Sequence, residues 1–253
     1  METPPDLHAH EPPDAAQLAD ARGHVLDRIA AACARVGRDP TTVTLVAVSK
    51  TVPASVLRDA VAAGLTILGE NRVQEAEAKI AEVPGATWHL VGPLQSNKAK
   101  RALATFAEIE SVHSVDLAGR LDRLANEVRP GERVPVLLEV NVDGDAAKTG
   151  FDPEALAAAF DVMAALPRLE IRGLMTVGRL VERAEDARPT FVALRALSER
   201  LRGSRPELGP ELSMGMSDDF EVAIEEGATI VRVGRALFGE REGAHLHDHD
   251  HGR

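Results

Sequence analysis

Lys50 follows directly on the nearly unbroken apolar run Val43-Thr44-Leu45-Val46-Ala47-Val48 and Ser49. Partial loss of water disfavours a charged amine, and the neutral amine is the form that attacks an aldehyde to make a Schiff base. The alternative for this position is a lysine that marks the solvent edge of a strand. Two glycine-containing turns further along the chain suit an anion. In Leu212-Ser213-Met214-Gly215-Met216-Ser217-Asp218, the glycine allows the backbone to approach a ligand, and a helix beginning near Asp218 aims amide hydrogens at the turn. Arg232-Val233-Gly234-Arg235 repeats the arrangement near the end of the chain. Taken alone, both are also turns that any protein of alternating strands and helices requires.

Those residues need elements to hold them. Leu18, Ala21, Val25, Ile29, Ala32 and Val36 recur at helical spacing and predict a helix over 15–36. Strands are then predicted at 43–48, 66–69, 88–91, 108–112, 133–142, 169–175, 211–214 and 229–233. Helices are predicted between them at 53–63, 73–83, 97–107, 117–127, 153–166, 185–202 and 218–226, with Pro53 opening the first of these and Gly64 ending it. Strict strand–helix alternation implies a parallel sheet. Repeated this often in 253 residues, it favours closure into a single (β/α)8 TIM barrel carrying an additional N-terminal helix, with an open doubly wound sheet as the runner-up. Lys50, Asn71, the Gly92–Asn97 segment, Met214–Ser217 and Gly234-Arg235 all fall at carboxyl ends of strands, the face on which such barrels build their sites.

The chain ends are set apart by composition. Residues 1–13 are rich in Pro, Asp, Glu and His and are expected to be disordered, as is the His/Asp-rich tail 241–253; the barrel is expected to occupy 14–240. Histidines 245, 247, 249 and 251 could capture a divalent ion, but no second ligand cluster fixes a geometry, and no metal is placed in the site. A net charge of −11 with interspersed basic residues argues against nucleic acid and against anionic membrane surfaces. No apolar run is long enough to span a bilayer, and the first residues lack the pattern of a secretory signal. A single cysteine, Cys33, excludes an intrachain disulfide, fits a cytoplasmic location, and is read as a packed filler within the first helix.

Several separated motifs coincide, in order, with one family. Val48-Ser49-Lys50, Gly69-Glu70-Asn71-Arg72-Val73-Gln74-Glu75, Trp88 to Lys98, Gly173-Leu174-Met175, Leu212 to Ser217 and Val231-Arg232-Val233-Gly234 resemble the pyridoxal phosphate homeostasis proteins, over about residues 15–240. The resemblance implies the barrel of alanine racemase (fold type III among pyridoxal phosphate proteins) and pyridoxal 5'-phosphate (PLP) held as a Schiff base on Lys50. It further implies Asn71 beside the ring, Ser213 and the backbone amides of Gly234 and Arg235 at the phosphate, Arg232 at the pyridine nitrogen, and Met214 packed near the ring. Arg72 stands where the family usually has an aromatic residue, which leaves the role of that position open. His89 is read either as a group approaching the cofactor or as a histidine held inside the barrel. Asn141 and Lys148 resemble a loop near the site mouth, and Gln95, Asn97 and Lys98 are read as rim or helix-cap residues.

The expected function is that of a PLP carrier in intracellular vitamin B6 and amino-acid balance, without catalytic residues, with PLP and apo-PLP enzymes as partners, and monomeric. Racemisation needs acid–base groups on both faces of the α-carbon. In alanine racemase a tyrosine from another domain supplies the second, and this sequence contains no tyrosine. The alternatives are a weak PLP-dependent amino-acid racemase and a barrel aldolase forming a lysine Schiff base with a sugar phosphate.

Overall fold

The computed structural model describes residues 12–179 and 181–239; the expected disordered N-terminal segment up to residue 11 and the His-rich tail lie outside these. Asp14 opens helix α1 (Ala15–Arg35) with a reciprocal cap, its carboxylate accepting from the Gln17 amide while the Gln17 side chain accepts from the Asp14 amide. Strand–helix units follow: β1 (Thr44–Val48) and α2 (Ala54–Ala62), β2 (Ile67–Glu70) and α3 (Val73–Ile80), β3 (Thr87–Leu90) and α4 (Ala99–Thr105), β4 (Glu108–Val112) and α5 (Val115–Val128). After them come β5 (Val134–Glu139) and α6 (Pro153–Ala164), β6 (Leu169–Met175) and α7 (Arg188–Arg202), β7 (Glu211–Ser213) and α8 (Phe220–Glu225), then β8 (Ile230–Val233) and the short α9 (Arg235–Phe238). The predicted elements are all present, with ends displaced by a few residues. Before α4 the backbone tightens into a 3₁₀ turn (Ser96–Lys98), and neither Gln95 nor Lys98 supplies a side-chain cap, so the capping role expected there is not observed.

The sheet is closed in the order β1 to β8, every pair parallel, with Thr44 opposite Ile230 and Val46 opposite Arg232 sealing it. Closure rules out the open doubly wound alternative. Because strand side chains alternate between faces, two apolar layers result. Val46, Val91, Leu137, Met175 and Ile230 meet along the barrel axis. A much larger cluster, which includes Ala47, Leu68, Leu90, Leu103 and Met214, fills the space between barrel and helices. Cys33 is buried and unpaired in this outer layer, as a filler would be. α1 packs beside α8, α9 and α2. From there Arg28 pairs with Glu221, lies over the Phe220 ring and reaches the Ser217 carbonyl, which ties the helix to the loop after β7.

Two register shifts interrupt the pleat. Between β4 and β5 the pairing steps from Ile109–Val136 to Val112–Leu138, and between β5 and β6 Arg172 is the extra residue between Ile171 and Gly173. Bulges of this kind re-aim side chains, and both lie beside charged residues that enter the barrel. Gly173 is needed where β6 passes β7, since a Cβ there would meet the Glu211 carbonyl oxygen at 1.9 Å.

Candidate functional site

Barrel closure makes β7, β8, β1 and β2 contiguous, so residues far apart in sequence share one stretch of rim. Lys50 is two residues beyond β1 and half-buried, and its amine has no hydrogen-bond or ion-pair partner among the described residues. The turn holding it is strained. Thr51 has φ 63°, the single non-glycine residue in the left-handed region among those described, and such conformations in β-branched residues cluster at ligand sites. Its amide is received by Glu75 at 3.4 Å. Beneath the turn, buried Glu70 accepts from the Ser49 hydroxyl at 2.8 Å and pairs with Lys79 at 2.6 Å, while Lys79 also donates to the Ser49 carbonyl at 3.0 Å. Lys50 therefore rises from an anchored base. Asn71 stands one residue past β2, its amide likewise without a partner, and Gly92 allows β3 to leave alongside it: a Cβ there would lie 2.6 Å from the Asn71 Cα.

The loops after β7 and β8 converge. The Ser217 hydroxyl oxygen accepts from the amides of Gly234 and Ala236, each at 3.3 Å. Gly215, at φ 91°, admits the close approach of α8, because a Cβ there would fall 2.6 Å from Ala223 Cβ. The Arg235 side chain turns outward to Asp218. Two expected residues are placed differently from the sequence reading. Ser213 does not reach this cradle; it points into the barrel, buried between Arg232 and Glu110. Met214, the next residue, consequently faces the outer layer rather than the barrel mouth. Ser217 is the hydroxyl the sequence reading passed over, although it ends the same motif.

Arg232 is almost fully buried and donates to the Ser213 hydroxyl at 2.6 Å and to the Thr176 carbonyl at 2.8 Å. Burial pulls its pKa down, opposed by Glu110, Asp219 and Glu139; a guanidinium starts so high that it stays charged. Glu139, at the end of β5, is pushed above the usual carboxylate range by burial, against a 2.7 Å hydrogen bond from Thr149. His89 is inside the barrel, its Nδ1–H donating to Glu110 at 2.9 Å. Burial lowers its pKa most strongly, but the hydrogen bond to Glu110 and the charges of Glu110 and Glu108 together raise it. Of the two readings of this residue, the structure gives the held histidine. Asn141 closes a loop on the Asp145 backbone, Lys148 donates to the Val177 and Gly178 carbonyls, and Arg72 is exposed with only Glu75 near.

At the opposite end of the barrel, Arg172 bridges Glu108 and Glu211. Burial raises the Glu108 carboxyl from 4.5 to about 7, with His89 opposing and Glu110 and Glu211 reinforcing. A carboxyl raised on folding contributes stability that is full below its unfolded range and is lost as pH climbs through about 7. Glu108→Gln removes that loss. Relative to the native chain, the variant should gain stability between about pH 5 and pH 8, by at most about 3 kcal/mol. Urea denaturation at both pH values measures it, and a pH-independent difference would contradict the assignment.

The signature of the alanine racemase N-terminal domain family matches residues 24–242. The pyridoxal phosphate homeostasis protein of Aquifex aeolicus is 43% identical over 221 residues, covering 86% of this chain and 96% of its own. The chain belongs to the pyridoxal phosphate homeostasis protein family. The family member from Pseudomonas aeruginosa is 44% identical over 231 residues, 89% of this chain and 96% of its own. Among solved structures, PipY of Synechococcus elongatus with PLP bound superposes with a TM-score of 0.78 at 42% identity, covering 88% of this chain and all of that one. An alanine racemase from Clostridium difficile shares the fold alone, at 15% identity and TM-score 0.69; this chain covers 57% of its length. Homeostasis proteins of this family are thus the relatives that match along nearly their whole length.

Proposed function

We propose that this protein binds PLP and serves intracellular PLP homeostasis, holding the cofactor on Lys50 without turning over a substrate. The observation that carries the reading is the unpartnered, half-buried Lys50 amine on a strained turn, set on the same arc of rim as buried Arg232 and the amides gathered at Ser217. The residues present fit the group. An aldehyde needs a free amine, a phosphate needs converging N–H donors, and an unprotonated pyridine nitrogen needs a buried donor that keeps its own proton. The amides of Gly234 and Ala236, now focused on one hydroxyl oxygen, form such a donor set, with Arg235 contributing through its backbone.

When bound, PLP supplies an aldehyde that a lysine captures reversibly and a ring that withdraws electrons. Lys50 would hold it covalently, Asn71 would flank the ring, Arg232 would donate to the ring nitrogen and keep that atom unprotonated, and Ser217 with the loop after β8 would receive the phosphate. Ser213 acts behind Arg232 rather than on the phosphate. Absence of turnover is supported by the sequence, which contains no tyrosine to serve as a second acid–base group. Delivery of PLP to apo-enzymes, a cytoplasmic location and a monomeric state belong to the same reading. Among the described residues no helix is long and apolar enough to cross a membrane.

The test is reconstitution. Purified protein should take up one PLP per chain, with a visible absorption band fixed by borohydride. Incubated with L-alanine in heavy water, it should exchange the α-proton no faster than free PLP at equal concentration. Uptake without a reducible link would remove Lys50 from its role, and exchange far above the control would make the protein an enzyme.

A further inference from the structure

A hydrogen-bonded chain runs along the inside of the barrel and ends at Arg232. His89 of β3 donates to Glu110 Oε1 at 2.9 Å, Ser213 of β7 donates to Glu110 Oε2 at 2.5 Å, Arg232 of β8 donates to Ser213 Oγ at 2.6 Å, and its other terminal nitrogen donates to the Thr176 carbonyl at 2.8 Å. Each member is buried. Glu110 uses both carboxylate oxygens within the chain, and Ser213 both accepts and donates. A guanidinium is planar, so two fixed acceptors at its terminal nitrogens set its plane as well as its place. Side-chain entropy would otherwise leave it several rotamers.

We infer that Glu110 is a positioning residue for the PLP site, acting through Ser213 to fix the plane and the place of the Arg232 guanidinium. The inference rests on the functional reading above and adds to it the part of the barrel that makes Arg232 rigid. The pairing shift between Ile109 and Val112 spans Glu110, and at that point its carboxylate reaches across the axis to β7. The charged groups that interact with Glu110 are His89 from β3, Glu108 of its own strand, Glu211 from β7 and Arg232 from β8, while Arg172 from β6 acts on His89, Glu108 and Glu211. Only His89 and, through Ser213, Arg232 are bonded to it. Glu108 and Glu211 form a separate pair of contacts with Arg172 at the other end of the barrel.

The experiment compares Glu110→Gln, Ser213→Ala and the double variant with the native protein, each reconstituted with PLP. Glu110→Gln keeps an acceptor for Ser213 but removes the charge, whereas Ser213→Ala cuts the link and keeps the charge. The readouts are PLP affinity by fluorescence and the absorption spectrum of bound PLP as a function of pH. Each single variant should weaken PLP binding roughly tenfold, the scale of one hydrogen bond to a charged group, and should shift the midpoint of the spectral titration. The double variant should be no worse than the worse single one, as expected of residues acting in series. Leu103→Ala, in the outer layer, is the control for a purely structural effect: it should lower the melting temperature without moving the spectrum. If Glu110→Gln does not fold, Ser213→Ala alone carries the comparison. Native binding and titration in the variants, while the native protein itself binds PLP, would overturn the positioning role alone. Additive losses in the double variant would do the same. A native protein that takes up no PLP would instead overturn the functional reading on which the inference rests.

Discussion

Lys50→Ala should abolish the borohydride-reducible link to PLP completely while leaving the fold intact. The amine has no partner among the described residues, so its removal breaks no hydrogen bond described there. The turn around it is held by Ser49, Glu70, Lys79 and Glu75, none of which is changed. The donor set at Ser217 and the Arg232 guanidinium stand on other strands, so non-covalent PLP binding should persist at reduced affinity. Mass spectrometry after reduction distinguishes the outcomes. A full-stoichiometry adduct on the variant would assign the link to another lysine.

Arg232→Met should be among the most destabilising single substitutions in the barrel. The buried carboxylates Glu110, Asp219 and Glu139 all act on the Arg232 cation. Its removal takes away a compensating charge that the hydrogen bonds from His89 and Ser213 to Glu110, from Thr149 to Glu139 and from the Met216 amide to Asp219 do not replace. The Ser213 hydroxyl and the Thr176 carbonyl also lose their donor; a buried acceptor left unpaired typically costs about 1–3 kcal/mol, and a carboxylate at the same place would cost more by adding like charge. The defect should depend on pH. Asp219 and Glu139 are already raised by burial, and Arg232 works against that rise in both. Without it their folded-state values rise further, so more stability is lost as pH climbs from about 5 to about 8. Chemical denaturation at the two pH values should show the variant's deficit shrinking in acid. A constant deficit would mean that the loss comes from packing around the methionine rather than from unpaired carboxylates.

The elements were readable because their periods differ cleanly. Apolar residues such as Leu18, Val25 and Ile29 recur at helical spacing in α1, while β1 is a short, almost wholly apolar run between Pro40 and Pro53. Lys50 stood out for the same reason, as a charge ending an apolar strand. What the sequence hides depends on single-residue placement. Ser213 and Ser217 lie in one motif and are the same residue type, yet strand alternation sends the first into the barrel and the turn after Gly215 brings the second to the amides. Glu108-Ile109-Glu110-Ser111-Val112 reads as an ordinary half-exposed strand, and only barrel closure makes every one of its residues buried. Bulges leave no local signature, so the register shifts beside Glu110 and at Arg172 could not be found by counting. Thr51 is the reverse case: threonine disfavours the left-handed region, and nothing in its neighbours announces the turn.

The seam between β1 and β8 joins the first strand of the chain to the last. Lys50 rises from one side of that seam, and Arg232 and Gly234 stand on the other. A growing polypeptide therefore carries its reactive amine from early in synthesis but owns no pocket until its final strand has been made and docked. Long-range pairings of this sort are slow steps in folding. A ligand gripped across the seam favours the sealed form by mass action, by about 2.7 kcal/mol at a hundredfold excess over its Kd. The concentration of that small molecule in the cell would then help decide how many newly made chains finish folding, so that the abundance of the receptor tracks the supply of what it receives.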